Sequence, residues 1–344
     1  MIELGTTDVK LGFGCAPLLG RVGLKASLRA LGAAFDSGIT FYDTARSYGY
    51  GRGEELLGSF LRGKRSQVLV STKFGIEPSK QSAWKNLAKP AVRAALKLAP
   101  SLRRLTRATV EAQFQKLRFT PADLDRSLTE SLRNLQTDYV DILFMHEAPD
   151  YVLEDEDLLE AAHQAIKAGK VRLVGISSTA KVVRHALEIR HPVIGAMQFP
   201  CNVFDFSITQ HTALGKGILL AANHPFGGVT GAPYTRSLLQ RIARSPRSPG
   251  EIREKLGAVD DVVLADALLG LITRSTGINV VIPSMIKPEH LRTNLQALKT
   301  PRFSDADITW LRQHLREQEP SADAASLRTL DRMQHTGSTT ISRR

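Results

Sequence analysis

The stretch from Ile39 to Gly51, ITFYDTARSYGYG, changes character at Asp43. Before it come apolar and β-branched residues suited to a buried strand; after it comes a loop rich in glycine. Three of the six tyrosines in the chain fall here, at Tyr42, Tyr48 and Tyr50. Side chains alternate along a strand, so Tyr42 faces away from Asp43 and reads as packing. Tyr50 lies between two glycines and reads as loop surface or pocket wall. Tyr48, five residues beyond the acid, has a spacing that lets the loop return its phenol to the end of the strand.

Seven other runs resemble ITFYD (39–43): KLGFGC (10–15), QVLVSTK (67–73), YVDILFMH (139–146), VRLVGIS (171–177), VIGAMQF (193–199), GILLAA (217–222) and NVVIP (279–283). Between them lie helical patterns such as KASLRALGAAFDSG, TPADLDRSLTESLRNL, EDLLEAAHQAIKAGK and AKVVRHALEIR. Thr120 followed by Pro121 reads as a helix start, with a capping hydroxyl and a proline at the first helical position. SDAD at 304–307 offers a similar start for the helix around Trp310. Eight strands, each followed by a helix, predict an α/β fold: a single-domain (β/α)8 TIM barrel. The strand runs are nearly continuous in apolar character, as parallel strands covered on both faces should be. A two-domain dinucleotide-binding fold is the alternative. Its G-x-G-x-x-G fingerprint is incomplete, since Gly12-Phe13-Gly14 is followed by Pro17 where the third glycine should stand.

Composition narrows the function classes. The 344 residues are 42% hydrophobic and 23% charged, which are globular values. Cys15 and Cys201 are the only cysteines, which fits a reducing compartment and a cytoplasmic location rather than a disulfide framework. The first residues carry no signal-peptide pattern, and no apolar run reaches the roughly 18 residues of a membrane span. Eight of the twelve net positive charges come from residues 77–119, with ten Lys or Arg against two Glu. That local basic segment has few interleaved aromatics and no zinc or RNA-binding signature, so nucleic acid is not read as a partner.

Two regions break the alternation. Residues 76–120 form a basic excursion in the third unit, where Trp84, Leu87, Ala88, Ala91, Val92 and Ala95 make an apolar stripe at helical spacing. Pro90 interrupts it. The segment reads as an amphipathic excursion packed on the barrel; a lid, a partner surface or a membrane-surface element are the alternatives. Residues 317–344 read as a polar tail after a 1–316 barrel.

In a parallel barrel the functional groups lie at the carboxyl ends of the strands. There the runs place Asp43, Lys73, His146, Ser177-Ser178 and Gln198. A phenol has an ordinary pKa of about 10. A neighbouring ammonium, here Lys73 held by Asp43, lowers it and readies the phenol of Tyr48 to protonate an oxygen. His146 would donate to the phenol or to a substrate carbonyl. Polarising a carbonyl in this way assists hydride delivery, and hydride requires a cofactor. The nine histidines show no zinc spacing, so no metal site is read.

These residues carry a family resemblance. Through GITFYDTARSYGYGRGEELLG, VLVSTKFG, DYVDILFMHEAP, GKVRLVGISS, MQF and VVIPSMIKPEHLRTNL, the chain resembles the aldo-keto reductases from about residue 2 to residue 316. The resemblance implies a (β/α)8 barrel with an N-terminal hairpin and a catalytic tetrad of Asp43, Tyr48, Lys73 and His146, with Tyr48 as proton donor. It implies an NAD(P)H-dependent oxidoreductase acting on a small carbonyl or alcohol, with NADPH preferred over NADH. The implied cofactor contacts are Gly14, Cys15, Asp43, Ser177, Ser178, Gln198, Pro283, Ser284, Lys287, His290 and Asn294. Departures from the family pattern are Ser178 in place of an asparagine, Asn223 or His224 where an aromatic often stacks, and Thr293 in place of an acid. The substrate pocket would be built by variable loops, with 76–120 and the segment from Pro233 to Val259 as contributors. A cofactor-sensing regulatory module on the same scaffold, with the basic segment binding a partner, is the competing reading.

Overall fold

The computed structural model describes residues 10–78, 114–116, 118–274 and 277–317. Eight strands form the barrel: β1 (Lys10–Gly14), β2 (Phe41–Asp43), β3 (Leu69–Phe74), β6 (Val140–His146), β7 (Val171–Ser177), β8 (Ile194–Pro200), β9 (Leu219–Asn223) and β10 (Val280–Ile282). They close in the order β1-β10-β9-β8-β7-β6-β3-β2. Every run named from the sequence is present, with ends moved by a residue or two. Buried apolar side chains such as Phe41, Val70, Phe144 and Val280 fill these strands, as expected where helices cover one face and the barrel interior the other.

Two strands had no counterpart in the sequence pattern. β4 (Ile76–Pro78) and β5 (Phe114–Lys116) pair antiparallel as a separate ribbon. Each is three residues long, too short for a period-2 signal, and the partners lie far apart in sequence. The ribbon forms the two ends of the basic excursion. The apolar stripe from Trp84 to Ala95 lies outside the described residues, as do the expected N-terminal hairpin and the tail beyond Glu317.

The described chain groups into two compact units. The first takes residues 13–197, with α1 (Leu24–Asp36), α2 (Gly53–Leu61), α3 (Pro121–Leu135), α4 (Glu156–Lys167) and α5 (Ala180–Ile189). α3 begins as its sequence reads: the Thr120 hydroxyl accepts from the Asp123 N–H at 3.2 Å, with Pro121 in the first turn. Its end is a left-handed Gln136, φ 55°. α4 is capped by Asp155, which accepts from the Leu158 N–H at 3.0 Å. Such caps satisfy backbone donors that the helix cannot.

The second unit takes residues 10–12 and 198–317, with α6 (Gly228–Arg244), α7 (Gly250–Leu256), α8 (Asp261–Thr273), α9 (Pro288–Lys299) and α10 (Asp305–Glu317). Its core joins Leu239 and Ile242 of α6, Leu256 of α7, Leu268 of α8 and Leu311 of α10. SDAD starts α10 through a capping box: the Asp307 N–H donates to the Ser304 hydroxyl at 3.2 Å, and the Ser304 N–H to Asp307 at 2.6 Å. The segment from Pro233 to Val259, read from the sequence as a variable loop, is mostly helical. Pro233 sits inside α6 rather than ending it, and Leu238, Leu239, Ile252 and Leu256 are buried in the core. Burial of that apolar face outweighs the single backbone bond the proline removes. No helix among the described residues is long and apolar enough to cross a membrane.

Candidate active site

Register explains how three strands bring their polar ends together. Asp43 pairs with Ser71 across β2 and β3. Ser71 and Lys73 share one face of β3 by alternation, and both reach the acid. The Ser71 hydroxyl donates to Asp43 Oδ1 at 2.7 Å. Lys73 Nζ donates to Asp43 Oδ1 at 2.7 Å and to Oδ2 at 2.6 Å, and to the Thr44 carbonyl at 2.8 Å. Lys73 is 1% exposed and Asp43 4% exposed, so this ion pair is out of water. A buried lysine survives charged only when paired and hydrogen-bonded, and all three donors of this ammonium have acceptors on hand.

Tyr48 comes back to this pair by an unusual loop. Gly49, Tyr50 and Gly51 are all left-handed, with φ of 59°, 60° and 86°. A side chain at Gly49 would sit 3.0 Å from the Leu18 carbonyl. At Gly53, which opens α2, an added Cβ would lie 2.9 Å from the Tyr48 carbonyl oxygen. The glycines therefore let the loop fold tightly enough to return Tyr48. Lys73 Nζ lies 5.0 Å from the Tyr48 ring centre. His146, at the end of β6, meets that ring edge-on with centres 6.2 Å apart. The four tetrad candidates are thus brought together within the first unit.

The electrostatics correct one expectation. Burial pushes the Tyr48 phenol above the ordinary value; the Lys73 ammonium pulls it down, but Asp43 opposes that pull, and the net direction is up. The sequence reading has the ammonium, held by Asp43, lowering the phenol pKa; burial is the larger effect and outweighs it. Burial works against the Lys73 charge, but Asp43 and Tyr48 outweigh it and hold the ammonium above its usual range.

The other candidates divide by environment. Gly14 and Cys15 are buried at the end of β1, and the Cys15 N–H donates to the Asp43 carbonyl at 2.9 Å. Burial raises the Cys15 thiol far above its normal range and Cys201 to about 12, so both behave as small apolar fillers. Ser177 is buried at the end of β7, opposite His146 in register. The Ser178 hydroxyl donates to the Ala148 carbonyl at 2.7 Å, which leaves its lone pairs free to accept from an amide N–H. In the second unit, Gln198, Pro283 and Asn294 are buried, while Ser284, Lys287 and His290 are exposed around the start of α9. No side chain caps that start. Asn223 and His224, at the position where an aromatic was considered, hydrogen-bond each other at 2.9 Å, and Phe226 packs against the helical core. Tyr42 is buried against Phe13, ring centres 5.9 Å apart, in its expected packing role. Among the described residues no cluster of His, Cys, Asp or Glu could hold a metal ion.

Sequence reasoning missed Ser71 and the Thr44 carbonyl as ligands of the ion pair. Ser71 was legible, being two residues before Lys73 and therefore on its face. A backbone carbonyl carries no sequence signal.

Comparison with known proteins agrees with the barrel fold. A model of the Aldo/keto reductase family matches residues 10–316. The chain is 24% identical over 333 residues to the fission yeast (Schizosaccharomyces pombe) protein named aldo-keto reductase yakc [NADP(+)], covering 88% of this chain and 87% of that one. The structure of a Bacillus halodurans aldo-keto reductase in its holo form matches with a TM-score of 0.63 at 21% identity, over 90% of this chain and 91% of that one. An aldo/keto reductase from Klebsiella pneumoniae, solved with NADP and acetate, matches with a TM-score of 0.60 at 20% identity, over 90% and 95%. With the family model spanning nearly the whole barrel, this chain belongs to the aldo/keto reductase family, a membership that implies NAD(P)H-dependent carbonyl reduction.

Proposed function

We propose that the protein is an NADPH-dependent reductase of aldehydes or ketones, reversible to alcohol oxidation, with Tyr48 as the proton donor. The observation that carries this is the buried Asp43–Lys73 pair with its ammonium 5.0 Å from the Tyr48 ring. The residues present fit a nicotinamide dinucleotide. Ser177 and Ser178 in the first unit, and Gln198 in the second, each carry hydrogen-bonding groups of the kind a carboxamide takes. The uncapped start of α9, with Ser284, Lys287, His290 and Arg292 around it, suits a phosphate. Pro283 and Asn294 are buried beside those positions in sequence. Extra cationic groups near a 2′-phosphate favour NADPH over NADH, and the yeast relative's name and the Klebsiella complex support that choice. Buried free thiols fit a cytoplasmic protein.

Bound NADPH supplies the hydride, which no side chain can. The chain's own groups handle the proton. Tyr48 gives its phenolic proton to the oxygen of the carbonyl being reduced. Lys73 stabilises the phenolate that results, and Asp43, Ser71 and the Thr44 carbonyl fix Lys73 for that task. His146, edge-on to the Tyr48 ring, can donate to the substrate oxygen and orient it. The loop glycines let the backbone turn tightly enough to return the phenol to the Asp43–Lys73 pair.

The test is oxidation of NADPH and of NADH against a panel of simple aldehydes and ketones. Turnover with NADPH is the expected result. Cofactor binding with no turnover across the panel would instead favour the sensing module. The pH profile has a definite sign. The donor form of Tyr48 exists below its pKa, which burial raises, so reduction should stay level through neutral pH and past about 10, the ordinary phenol value. Alcohol oxidation needs the phenolate and should rise with pH over the same range. A reduction rate that falls through neutral pH would contradict this.

A smaller substitution probes the loop. Gly53→Ala places a Cβ 2.9 Å from the Tyr48 carbonyl oxygen and 3.2 Å from the Tyr48 Cβ. Tyr48 must shift, and kcat should fall about 10- to 100-fold with little change in cofactor affinity. An unaltered kcat would show that the loop tolerates displacement.

A further inference from the structure

Between Asp43 and Tyr48 lies a charged residue that the chemistry above does not use. Arg46 is 5% exposed. Its guanidinium meets three carboxylates from three elements: Glu54 of α2 at 3.2 Å, Glu77 of β4 at 4.0 Å, and Glu130 of α3. Glu54, 1% exposed, also accepts from the Thr72 hydroxyl at 2.6 Å and from Asn134 at 3.3 Å. Glu77 accepts from the Ser127 hydroxyl at 2.5 Å.

The position of this cluster is informative. Thr72 lies between Ser71 and Lys73 on β3, so alternation turns it to the opposite face. One strand thus holds the Asp43–Lys73 pair on one face and the Arg46–Glu54 pair on the other. Arg46 and Glu54 also bracket the left-handed run Gly49-Tyr50-Gly51, closing the loop around Tyr48 as a staple would. Left-handed Tyr50 in that run is a strained conformation that its surroundings must hold. Glu77 extends the link outward. At Gly51 an added Cβ would fall 2.7 Å from Pro78 Cγ, so β4 packs directly on the Tyr48 loop. Buried ion clusters are weak sources of stability compared with apolar packing. Fixing one loop geometry is what this one can do that apolar residues would not.

We propose that Arg46 is a positioning residue: by gripping Glu54, Glu77 and Glu130 it fixes the loop that carries Tyr48 and couples that loop to the β4–β5 ribbon. This rests on the reading of Tyr48 as proton donor. The groups that face the phenol are Lys73, Asp43 and Cys15, with the His146 ring beside it; Arg46 acts on none of these directly but on the backbone between them.

The experiment combines kinetics with titration of the tyrosine side chains by carbon-13 NMR, the Tyr48 signal being assigned by its loss in Tyr48→Phe. Arg46→Met should lower kcat for NADPH-dependent reduction of 4-nitrobenzaldehyde by about tenfold or more, with KM and NADPH affinity unchanged. Arg46→Lys, which keeps the charge but cannot fork to several carboxylates, should fall between. Release of the loop should also move the Tyr48 titration down by about one pH unit toward the ordinary phenol value, while Tyr42 stays where it is. A Tyr48 titration identical in wild type and Arg46→Met overturns the proposal, whatever the activity. Arg46→Met/Glu54→Gln removes the charge left behind and serves if the single variant does not fold. Glu77→Gln, at the outer edge of the cluster, should lower kcat with KM unchanged; if neither Arg46 variant folds, an unchanged kcat there overturns the proposal. A wild type that binds NADPH and reduces nothing removes the proton-donor reading, and the titration still decides whether Arg46 holds Tyr48.

Discussion

Tyr48→Phe is expected to lower kcat for carbonyl reduction by about 10²- to 10⁴-fold, the range that general acid catalysis supplies, with NADPH affinity nearly intact. The substitution keeps the ring that His146 meets edge-on at 6.2 Å and removes only the hydroxyl. Packing in the loop should therefore survive, and far-ultraviolet circular dichroism and the melting temperature should match wild type. The measurement is steady-state reduction of the best aldehyde in the panel beside a fluorescence titration of NADPH. If kcat persists at the wild-type level, the proton comes from another group, and His146 becomes the first candidate because it is the other ring at the site.

Lys73→Met should abolish turnover to a similar degree and, unlike the tyrosine change, should also destabilise the protein. It leaves the Asp43 carboxylate buried and without its ammonium, though the Ser71 hydroxyl still donates to it. Removing one member of a buried ion pair costs about 3–5 kcal/mol, because the other charge stays out of water. The double variant Asp43→Asn/Lys73→Met should recover most of that stability and none of the activity. This split separates a catalytic ammonium from a structural one. Urea unfolding of the wild type, both variants and Asp43→Asn checks it; equal losses in single and double variants would mean that the pair carries no such coupling. The pair also sets a pH dependence. The Lys73 pKa is higher folded than unfolded, so its contribution is complete below the unfolded value of about 10.4 and is lost as pH rises through the folded value. The wild type should lose stability above that point more steeply than the double variant.

Much of the site was legible before any coordinates. Asp43, Lys73 and His146 each end a strand run, and parallel strands in a barrel place their carboxyl ends on one rim. Tyr48 was legible from its spacing and its glycines. The direction of its pKa was not. The sequence offers Lys73 as a charge near a phenol, but says nothing of how completely Asp43 neutralises that charge or how much water the loop excludes. Arg46, Glu54 and Glu77 carry no local pattern that pairs them with α3, because their partners there lie 84, 80 and 50 residues away in the chain.

The division has a simple physical basis. Hydrophobic periodicity, turn residues and helix caps act over a few residues, so the sequence by itself determined the eight strands, the helices between them, the barrel and the residues at its strand ends. Dielectric environment, ion-pair geometry and long-range strand pairing depend on which distant segments exclude water from one another. Only the tertiary structure decided that Lys73 is fully paired, that Tyr48 is held above its ordinary pKa, that Pro233 lies within a helix, and that the ends of the basic excursion pair as a ribbon against the loop of Tyr48.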